Sequence, residues 1–326
     1  MKILIAGGAG YIGSHVVLEL LEQGHQVTVF DNLSTGHREN ISLSAKFIHG
    51  DILDEPMLHA AFDSSSFDAV FHFAALKSAG DSMINPGSFA KQNITGSINI
   101  LNAMVSHGVK NIIFSSTAAV YGYPGYNPID ENHPTIPINF YGFTKLEIER
   151  LLQWYSQLKD IRFAALRYFN AAGYDPKGRI AEPERNCANL LPIVLETAAG
   201  IREKVQVFGN DYETSDGTGV RDYIHVTDLA AAHIKAMNYL TENKADITIN
   251  LGTGIGYTVM DVIHSAEKVT GKTIPYHVAE RRPGDPDELI ALSSGAYQIL
   301  DWAPGYSDLE TILQTMWALY RTPGQT

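Results

Sequence analysis

Cysteine is nearly absent: Cys187 is the only one among 326 residues. An intrachain disulfide and a thiolate metal cluster are excluded, and a reducing compartment fits. Nothing in the sequence marks a base for Cys187, so it reads as a free structural thiol rather than a nucleophile. No stretch approaches the roughly 20 apolar residues that a membrane-spanning helix requires. The opening run Met1-Lys2-Ile3-Leu4-Ile5-Ala6 is interrupted by Gly7-Gly8, too early for a signal-peptide core. A cytoplasmic protein with no membrane partner is expected. Basic residues are in deficit, 24 Lys and Arg against 36 Asp and Glu, for a formal net charge of −12. Nucleic acid needs a positive field, so no nucleic-acid partner is expected. An anionic small ligand has to be held by local arginines. Twelve histidines are present, but no His-Glu-x-x-His spacing and no accompanying acidic pair, so no metal site is expected. There is no Gly-x-Ser-x-Gly turn, no phosphate loop ending in Gly-Lys-Ser/Thr, no internal repeat and no linker-like segment.

What is present is an ordinary globular composition, 45% hydrophobic and 18% charged, long enough for one large or two joined domains. Ile3 to Ala6 is a β-branched apolar run that reads as a buried strand. It is followed by Gly7-Gly8-Ala9-Gly10-Tyr11-Ile12-Gly13 and a helical pattern to Gln23, with Gly24 as its stop. The glycines satisfy two spacings, Gly7/Gly10/Gly13 and Gly8/Gly10/Gly13; either lets a backbone turn approach a pyrophosphate at a helix N-terminus. His25 to Phe30 makes the next strand and ends in Asp31, at the distance expected for a carboxylate on a ribose 2′-hydroxyl. That carboxylate would repel a 2′-phosphate and favours NAD over NADP, although Arg38 nearby keeps both open.

The same rhythm continues. Strands are expected at Phe47–His49, ending at Gly50-Asp51; at Ala69–Phe73, ending at Ala74-Ala75-Leu76-Lys77; at Asn111–Phe114, running into Ser115-Ser116-Thr117; and at Ile161–Leu166, ending at Arg167-Tyr168-Phe169-Asn170. Asp54 is a candidate N-cap, and helices are expected at Pro86–Val105 and Tyr141–Leu158. The fold class that follows is α/β, a doubly wound parallel sheet of the Rossmann type, with ligands beyond the carboxyl ends of its strands. Residues 1–170 are expected to form the NAD-binding domain, with segments near 222–252 returning to it, and 171–326 a smaller mixed α/β substrate domain. In that part Asn189–Ala199 and Val226–Leu240 read as helices and Lys204–Phe208 as a strand. Thr258 with Asp261 reads as a capping box for a helix to Val269.

Tyr141 and Lys145 lie four positions apart, one above the other on one helical face. An ammonium beside a phenol favours the phenolate. Lowering a tyrosine by about three pH units takes roughly 4 kcal/mol. One lysine needs help, which a cationic cofactor ring could supply. Alone, a Tyr-x-x-x-Lys pair is more often an ordinary solvated helix face.

With these residues in view, the chain resembles the extended short-chain dehydrogenase/reductase family, and within it the nucleotide-sugar 4-epimerases. The shared motifs are Gly7 to His15, Asp31-Asn32, Gly50-Asp51, Ser115-Ser116-Thr117, Tyr141-x-x-x-Lys145 and Arg167 to Asn170, then Asp216 to Val226, Asn250 to Gly254 and Arg281-Arg282-Pro283-Gly284-Asp285. The resemblance implies a homodimer through the two helices Pro86–Val105 and Tyr141–Leu158, and NAD as cofactor. NAD would be held by Gly7, Gly10, Tyr11, Ile12, Gly13, Asp31, Asn32, Asp51 and Ile52 on one side. Phe73, Ala74, Ala75, Lys77, Asn93, Ser115 and Tyr168, with Tyr141 and Lys145, would hold it on the other. It implies that a UDP-hexose is the substrate and that UDP-glucose and UDP-galactose are interconverted through a 4-keto sugar. In that reaction Tyr141 is the base, Lys145 lowers its pKa and holds the nicotinamide ribose, and Thr117 hydrogen-bonds the reacting oxygen. Arg221 and Arg282 would grip the diphosphate, with Asn170, Asn189, Leu190 and Tyr223 beside them and Asp285 on the uridine ribose. Leu289 stands where side-chain size gates the room beside the sugar, which leaves N-acetylated sugars undecided. Related dehydratases carry an acid directly after the threonine, whereas Ala118 and Ala119 follow here, so elimination lacks its agent. The alternatives are a 4-epimerase of a UDP-uronic acid or UDP-N-acetylhexosamine, and a non-catalytic protein binding NAD or a nucleotide sugar.

Overall fold

The structure is a computed structural model and describes residues 1–184, 188–282 and 284–320. Cys187 lies outside the described residues, as does the end of the irregular segment expected to run to Asn186. In the first half β1 (Lys2–Ala6), β2 (Gln26–Asp31), β3 (Lys46–His49), β4 (Ala69–His72), β5 (Asn111–Thr117) and β6 (Arg162–Tyr168) form one sheet in the order 3-2-1-4-5-6. Every neighbouring pair is parallel. Covered on both faces, such strands must be apolar throughout, which is why they stand out in the sequence. The order reverses between β1 and β4, and that switch point opens the crevice in which a ligand sits.

Helices α1 (Tyr11–Glu22) and α2 (Glu55–Asp63) follow β1 and β3. Asp54 caps α2 by accepting the Met57 N–H at 3.0 Å. The helix expected over Pro86–Val105 is one path with a change of pitch: α3 (Ala79–Ile84) leads into α4 (Pro86–Phe89), then a π-helical stretch Ala90–Thr95, then α5 (Gly96–Ser106). The wider turn carries Asn93, whose side chain is wholly buried and committed to bonds outside the helix. Helix α6 (Phe140–Lys159) starts one residue before its expected start, because Asn139 accepts the Gly142 N–H at 2.8 Å and sets the first turn. Its middle is clamped to the sheet by Ile148 and Leu152, packed with Ile100 and Met104 of α5 and Phe62 of α2. Leu152→Ala there would cost about 2–5 kcal/mol.

In the second half come β7 (Asn170–Ala172), α7 (Leu190–Ala198), β8 (Val205–Phe208), β9 (Val220–His225), α8 (Val226–Asn243) and β10 (Ile247–Leu251). They are followed by β11 (Gly256–Thr258), α9 (Val259–Thr270), β12 (Tyr276–Ala279), β13 (Glu288–Leu289), α10 (Ser294–Leu300) and α11 (Leu309–Tyr320). Strand β10 returns to the large sheet as a seventh parallel strand beside β6. Helix α8 covers the same face as α1, joining Val16 and Leu20 to Leu229 and Met237. A separate core forms where α7, α9 and α11 pack over β8. A small sheet centred on β9 links the two, with β7, β11 and β13 as partners. The Thr258–Asp261 capping box is formed in both directions, at 2.9 and 3.0 Å.

Candidate active site

The glycine turn is sealed on two sides and open on the third. Gly7 has φ +85°, and a Cβ there would stand 2.8 Å from the Ala74 Cα. A Cβ on Gly13 would meet the Gly8 Cα at 2.9 Å and drive into the Gly7 carbonyl. Gly10 is different, since its nearest neighbour in that direction is the Gly7 oxygen at 3.4 Å. Gly10 also N-caps α1 without any side-chain cap. The first-turn N–H groups of α1 therefore face an opening that a Cβ would narrow, which fits the pyrophosphate of NAD.

Asp31 and Asp51 flank this turn. Asp31 is buried, accepts N–H bonds from Ala9 at 2.9 Å and Leu33 at 2.8 Å, and is pushed up by burial against those bonds. Burial also acts on Asp51, but the Leu53 N–H, the Asn32 and Gln92 amides and Lys91 outweigh it and hold the carboxyl below its usual range. Ile52 turns its side chain into the core against Gly96. The chain beyond β7 is strapped over α1. The Tyr11 hydroxyl donates to Gly173 O at 2.5 Å, Asp175 N–H donates to His15 Nε2 at 3.0 Å, and Asn40 accepts the N–H groups of Ala181 and Glu182.

On the far side of the switch point, Phe73 and Ala74 both donate N–H to Ala6 O, at 2.8 and 3.0 Å, which fixes the start of the Ala75–Lys77 loop. Asn93 accepts the Leu76 N–H at 2.8 Å and donates to Leu76 O at 3.0 Å and to Thr144 Oγ1 at 2.9 Å. Its side chain is thus engaged by protein and sets the loop against α6. Lys77, expected on the cofactor, pairs with Glu184.

At the carboxyl end of β5 the catalytic candidates converge. The Thr117 hydroxyl lies near enough to the Tyr141 phenol to favour its ionised form. Lys145, 2% exposed, donates to Ser115 O at 2.6 Å, and its Nζ stands 4.8 Å from the Phe114 ring centre and 5.9 Å from that of Tyr141. The Tyr168 hydroxyl donates to Ser115 Oγ. Burial dominates the electrostatics here. It pushes Tyr141 up to about 12 although Thr117 acts the other way, and Lys145 down to about 7 although Glu149 pulls the other way. Burial thus drives both groups toward their neutral forms.

The residues expected on the diphosphate also lie together. Arg221 donates to Pro286 O at 2.9 Å and stands 3.6 Å from Asp285, while Arg282 donates to the other Asp285 oxygen at 3.1 Å and lies 4.4 Å above the Phe208 ring. One carboxylate thus stands between two guanidinium groups. Asn170 donates to Asp222 O at 2.9 Å, Tyr223 is buried beside it on β9, and Leu289 pairs with Arg221 in register. Asn189 is the N-cap residue of α7 and makes no side-chain cap bond, and Leu190 packs on the second core.

Three residues in or next to the quoted motifs had no role assigned from the sequence. Asp222, wholly buried, accepts from Thr253 N–H and hydroxyl, Gly254 N–H and Ala291 N–H, at 2.7 to 3.2 Å. It ties the loop after β10 to the strand that carries Arg221. Glu149 and Arg167 form a buried pair at 2.6 Å. The helical spacing Tyr141, Lys145, Glu149 was available as a signal for the second case; nothing local marked the first.

The family model described as "NAD dependent epimerase/dehydratase family" matches residues 3–252. A UDP-glucose 4-epimerase from Halalkalibacterium halodurans is 49% identical, with 97% of this chain and 95% of the relative covered. A crystal structure of UDP-glucose 4-epimerase from Brucella ovis in complex with NAD is 41% identical with a TM-score of 0.95, covering 98% of each chain. One from Bifidobacterium longum in complex with NAD+ and UDP is 36% identical with a TM-score of 0.91 over 98% of each chain. From its fold, its glycine cradle and these relatives, the chain belongs to the NAD dependent epimerase/dehydratase family.

Proposed function

We propose that this enzyme interconverts UDP-glucose and UDP-galactose by inverting C4 of the sugar. The carrying observation is the convergence of the Tyr141 phenol, the Thr117 hydroxyl and the buried Lys145 at the end of β5, with Ala118 and Ala119 next in the chain. When bound, NAD supplies the redox chemistry, a nicotinamide that can hold the C4 hydrogen and return it. Tyr141 is the group that takes the 4-hydroxyl proton and gives it back, and Thr117 holds the same oxygen by a hydrogen bond. Lys145 contributes positive charge beneath the phenol. The resulting 4-keto sugar has to present either face, so the grip belongs on the nucleotide. Arg221 and Arg282, planar forks suited to phosphate oxygens, are assigned to the diphosphate, with Asp285 released to the uridine ribose. Asn170, Asn189, Leu190 and Tyr223 border that half, and residues 171–326 are assigned as the UDP-sugar domain, apart from the return near 222–252.

On the cofactor side, Gly7, Gly10, Tyr11, Ile12, Gly13, Asp31, Asn32, Asp51 and the Ile52 backbone are assigned to the adenosine and pyrophosphate. Phe73 to Ala75, Lys77, Asn93, Ser115 and Tyr168 are assigned to the nicotinamide half, with Asn93 also holding the Leu76 loop. A cytoplasmic location is proposed from the single cysteine. A homodimer through α5 and α6 is proposed from the exposed Val105, Phe143, Trp154 and Leu158 on those helices; sedimentation that finds only monomer ends that proposal. Purified protein incubated with a panel of UDP-sugars and no added cofactor should convert UDP-galactose to UDP-glucose. Turnover confined to a carboxylated or N-acetylated sugar would transfer the assignment to that substrate.

A further inference from the structure

Helix α6 presents three ionisable side chains one turn apart on one face: Tyr141, Lys145 and Glu149. The reaction described above uses the first two. Glu149 is 3% exposed and sits in a chain of polar contacts that crosses the sheet. It accepts from the Ser116 hydroxyl and from Arg167, Nε at 3.0 Å and Nη2 at 2.6 Å. Arg167 in turn donates to the Tyr121 hydroxyl at 3.0 Å, which donates to Asn250 at 2.6 Å. A buried ion pair is seldom worth more to stability than well-packed apolar side chains of the same volume. Helix α6 already has Ile148 and Leu152 to hold it down. Adhesion alone does not account for a charge at this place.

Lys145 is where the charge acts. Its Nζ is bonded to the Ser115 carbonyl and lies over the Phe114 ring, neither of which carries an anion, and burial pulls it toward the neutral amine. The titratable groups around it come from three elements. Tyr141 lies on its own helix. His72 on β4 is held neutral by burial, with Lys145 opposing its charge. Tyr168 on β6 is a phenol kept protonated by burial. Among the described residues, Glu149 is the carboxylate that acts on Lys145, and Arg167 and Ser116 fix where it stands.

We propose that Glu149 is a positioning residue of the reaction, the buried counter-ion that keeps Lys145 charged beneath Tyr141, with Arg167 and Ser116 as the clamps that hold its carboxylate. This rests on the assignment of Tyr141 as base and Lys145 as its cation.

The test compares pH profiles of the NAD-loaded enzyme on UDP-galactose. Glu149→Gln combined with Arg167→Met removes the pair without leaving a lone buried charge. It should move the alkaline limb of the rate, where Lys145 loses its proton, to lower pH by about one unit. Glu149→Asp should restore the limb in part. Ser116→Ala, which removes a bond of the same network but no charge, should lower the rate and leave the limb in place. The tyrosinate absorbance of each variant, minus that of the same variant carrying Tyr141→Phe, gives a readout independent of turnover. In the double variant the Tyr141 titration should move to higher pH. Unmoved limb and titration in a folded, NAD-loaded double variant overturn the role of Glu149. Undiminished turnover in Tyr141→Phe alone overturns the assignment on which it rests.

Discussion

Gly10 and Gly13 are only three residues apart, yet a methyl group on each should fail in a different way. At Gly13 the added Cβ would meet backbone on two sides, the Gly7 carbonyl and the Gly8 Cα at 2.9 Å. Backbone cannot step aside as a side chain can, so α1 has to move off β1; overpacking of this kind costs about 1–3 kcal/mol. At Gly10 the nearest atom is 3.4 Å away, an ordinary contact. Loss of a glycine N-cap there should cost less than about 1 kcal/mol. The methyl instead occupies the approach to the uncapped first turn of α1. Gly10→Ala should therefore melt close to the ligand-stripped parent but carry little NAD through purification. It should also lack the stabilisation that NAD gives the parent, about 2.7 kcal/mol at a hundred-fold excess over Kd. Gly13→Ala should lose both stability and NAD. The assay is a denaturant or thermal melt with and without NAD, beside the NAD content of the denatured protein. A Gly10→Ala protein that keeps its NAD and its full stabilisation would refute the placement of the pyrophosphate.

Tyr141→Phe should keep NAD bound and lose turnover by about 10²–10⁴-fold, the range for a positioned acid or base, read from the rate and the NAD content of one preparation. In NAD-stripped protein, Lys145 titrates near 7 when folded rather than near 10.5. The unfolded chain binds its proton more tightly, so stability from this group grows as pH rises from about 7 to about 10.5 and is missing below. The difference in unfolding free energy between the parent and Lys145→Met should therefore rise across that window; a flat difference would remove the burial argument. Asp222→Asn turns an amide N–H₂ toward N–H donors that now meet a carboxylate. It should cost about 1–3 kcal/mol per unsatisfied donor in denaturant melts, and raise KM for the UDP-sugar more than it lowers kcat because Arg221 is its neighbour.

Much of the fold could be read from residue pattern because the parallel sheet is covered on both faces. Runs such as Ile3–Ala6 and Ile112–Phe114 have no polar alternation to confuse them. The α6 boundaries and the Thr258–Asp261 box were legible for the same local reason: each is set by side chains within one helical turn. The strands β7, β9, β11 and β13 were not. They are two to six residues long and owe their pairing to segments 30 or more residues away, which no local window contains. The same distance hid the partners of the site. Lys77 meets Glu184 and Asn40 meets Ala181 across more than 100 residues, and the acceptor role of Asp222 depends on backbone N–H groups that any residue would carry.

The spacing of Tyr141 and Lys145 was legible in the sequence, and the weight of burial on both groups was not. Spacing placed an ammonium under the phenol, and attraction between them should lower the phenol's pKa. In the folded chain both groups lose water, and desolvation drives each toward its neutral form, Tyr141 up to about 12 and Lys145 down to about 7. The resting pair is therefore poised toward neutral phenol and weakly held ammonium. It gains catalytic charge when positive charge reaches the crevice or when negative charge is held beneath the lysine. The glycine cradle opposite makes the first possible, because a cofactor anchored by its pyrophosphate at α1 can extend across the switch point toward β5. Glu149 makes the second possible from inside the fold. Removing either source alone should then lower the rate while leaving the placement of Thr117 and Tyr141 unchanged. Removing both should cost about the sum of the two in free energy if they act on the phenol independently, and less if the lysine relays both.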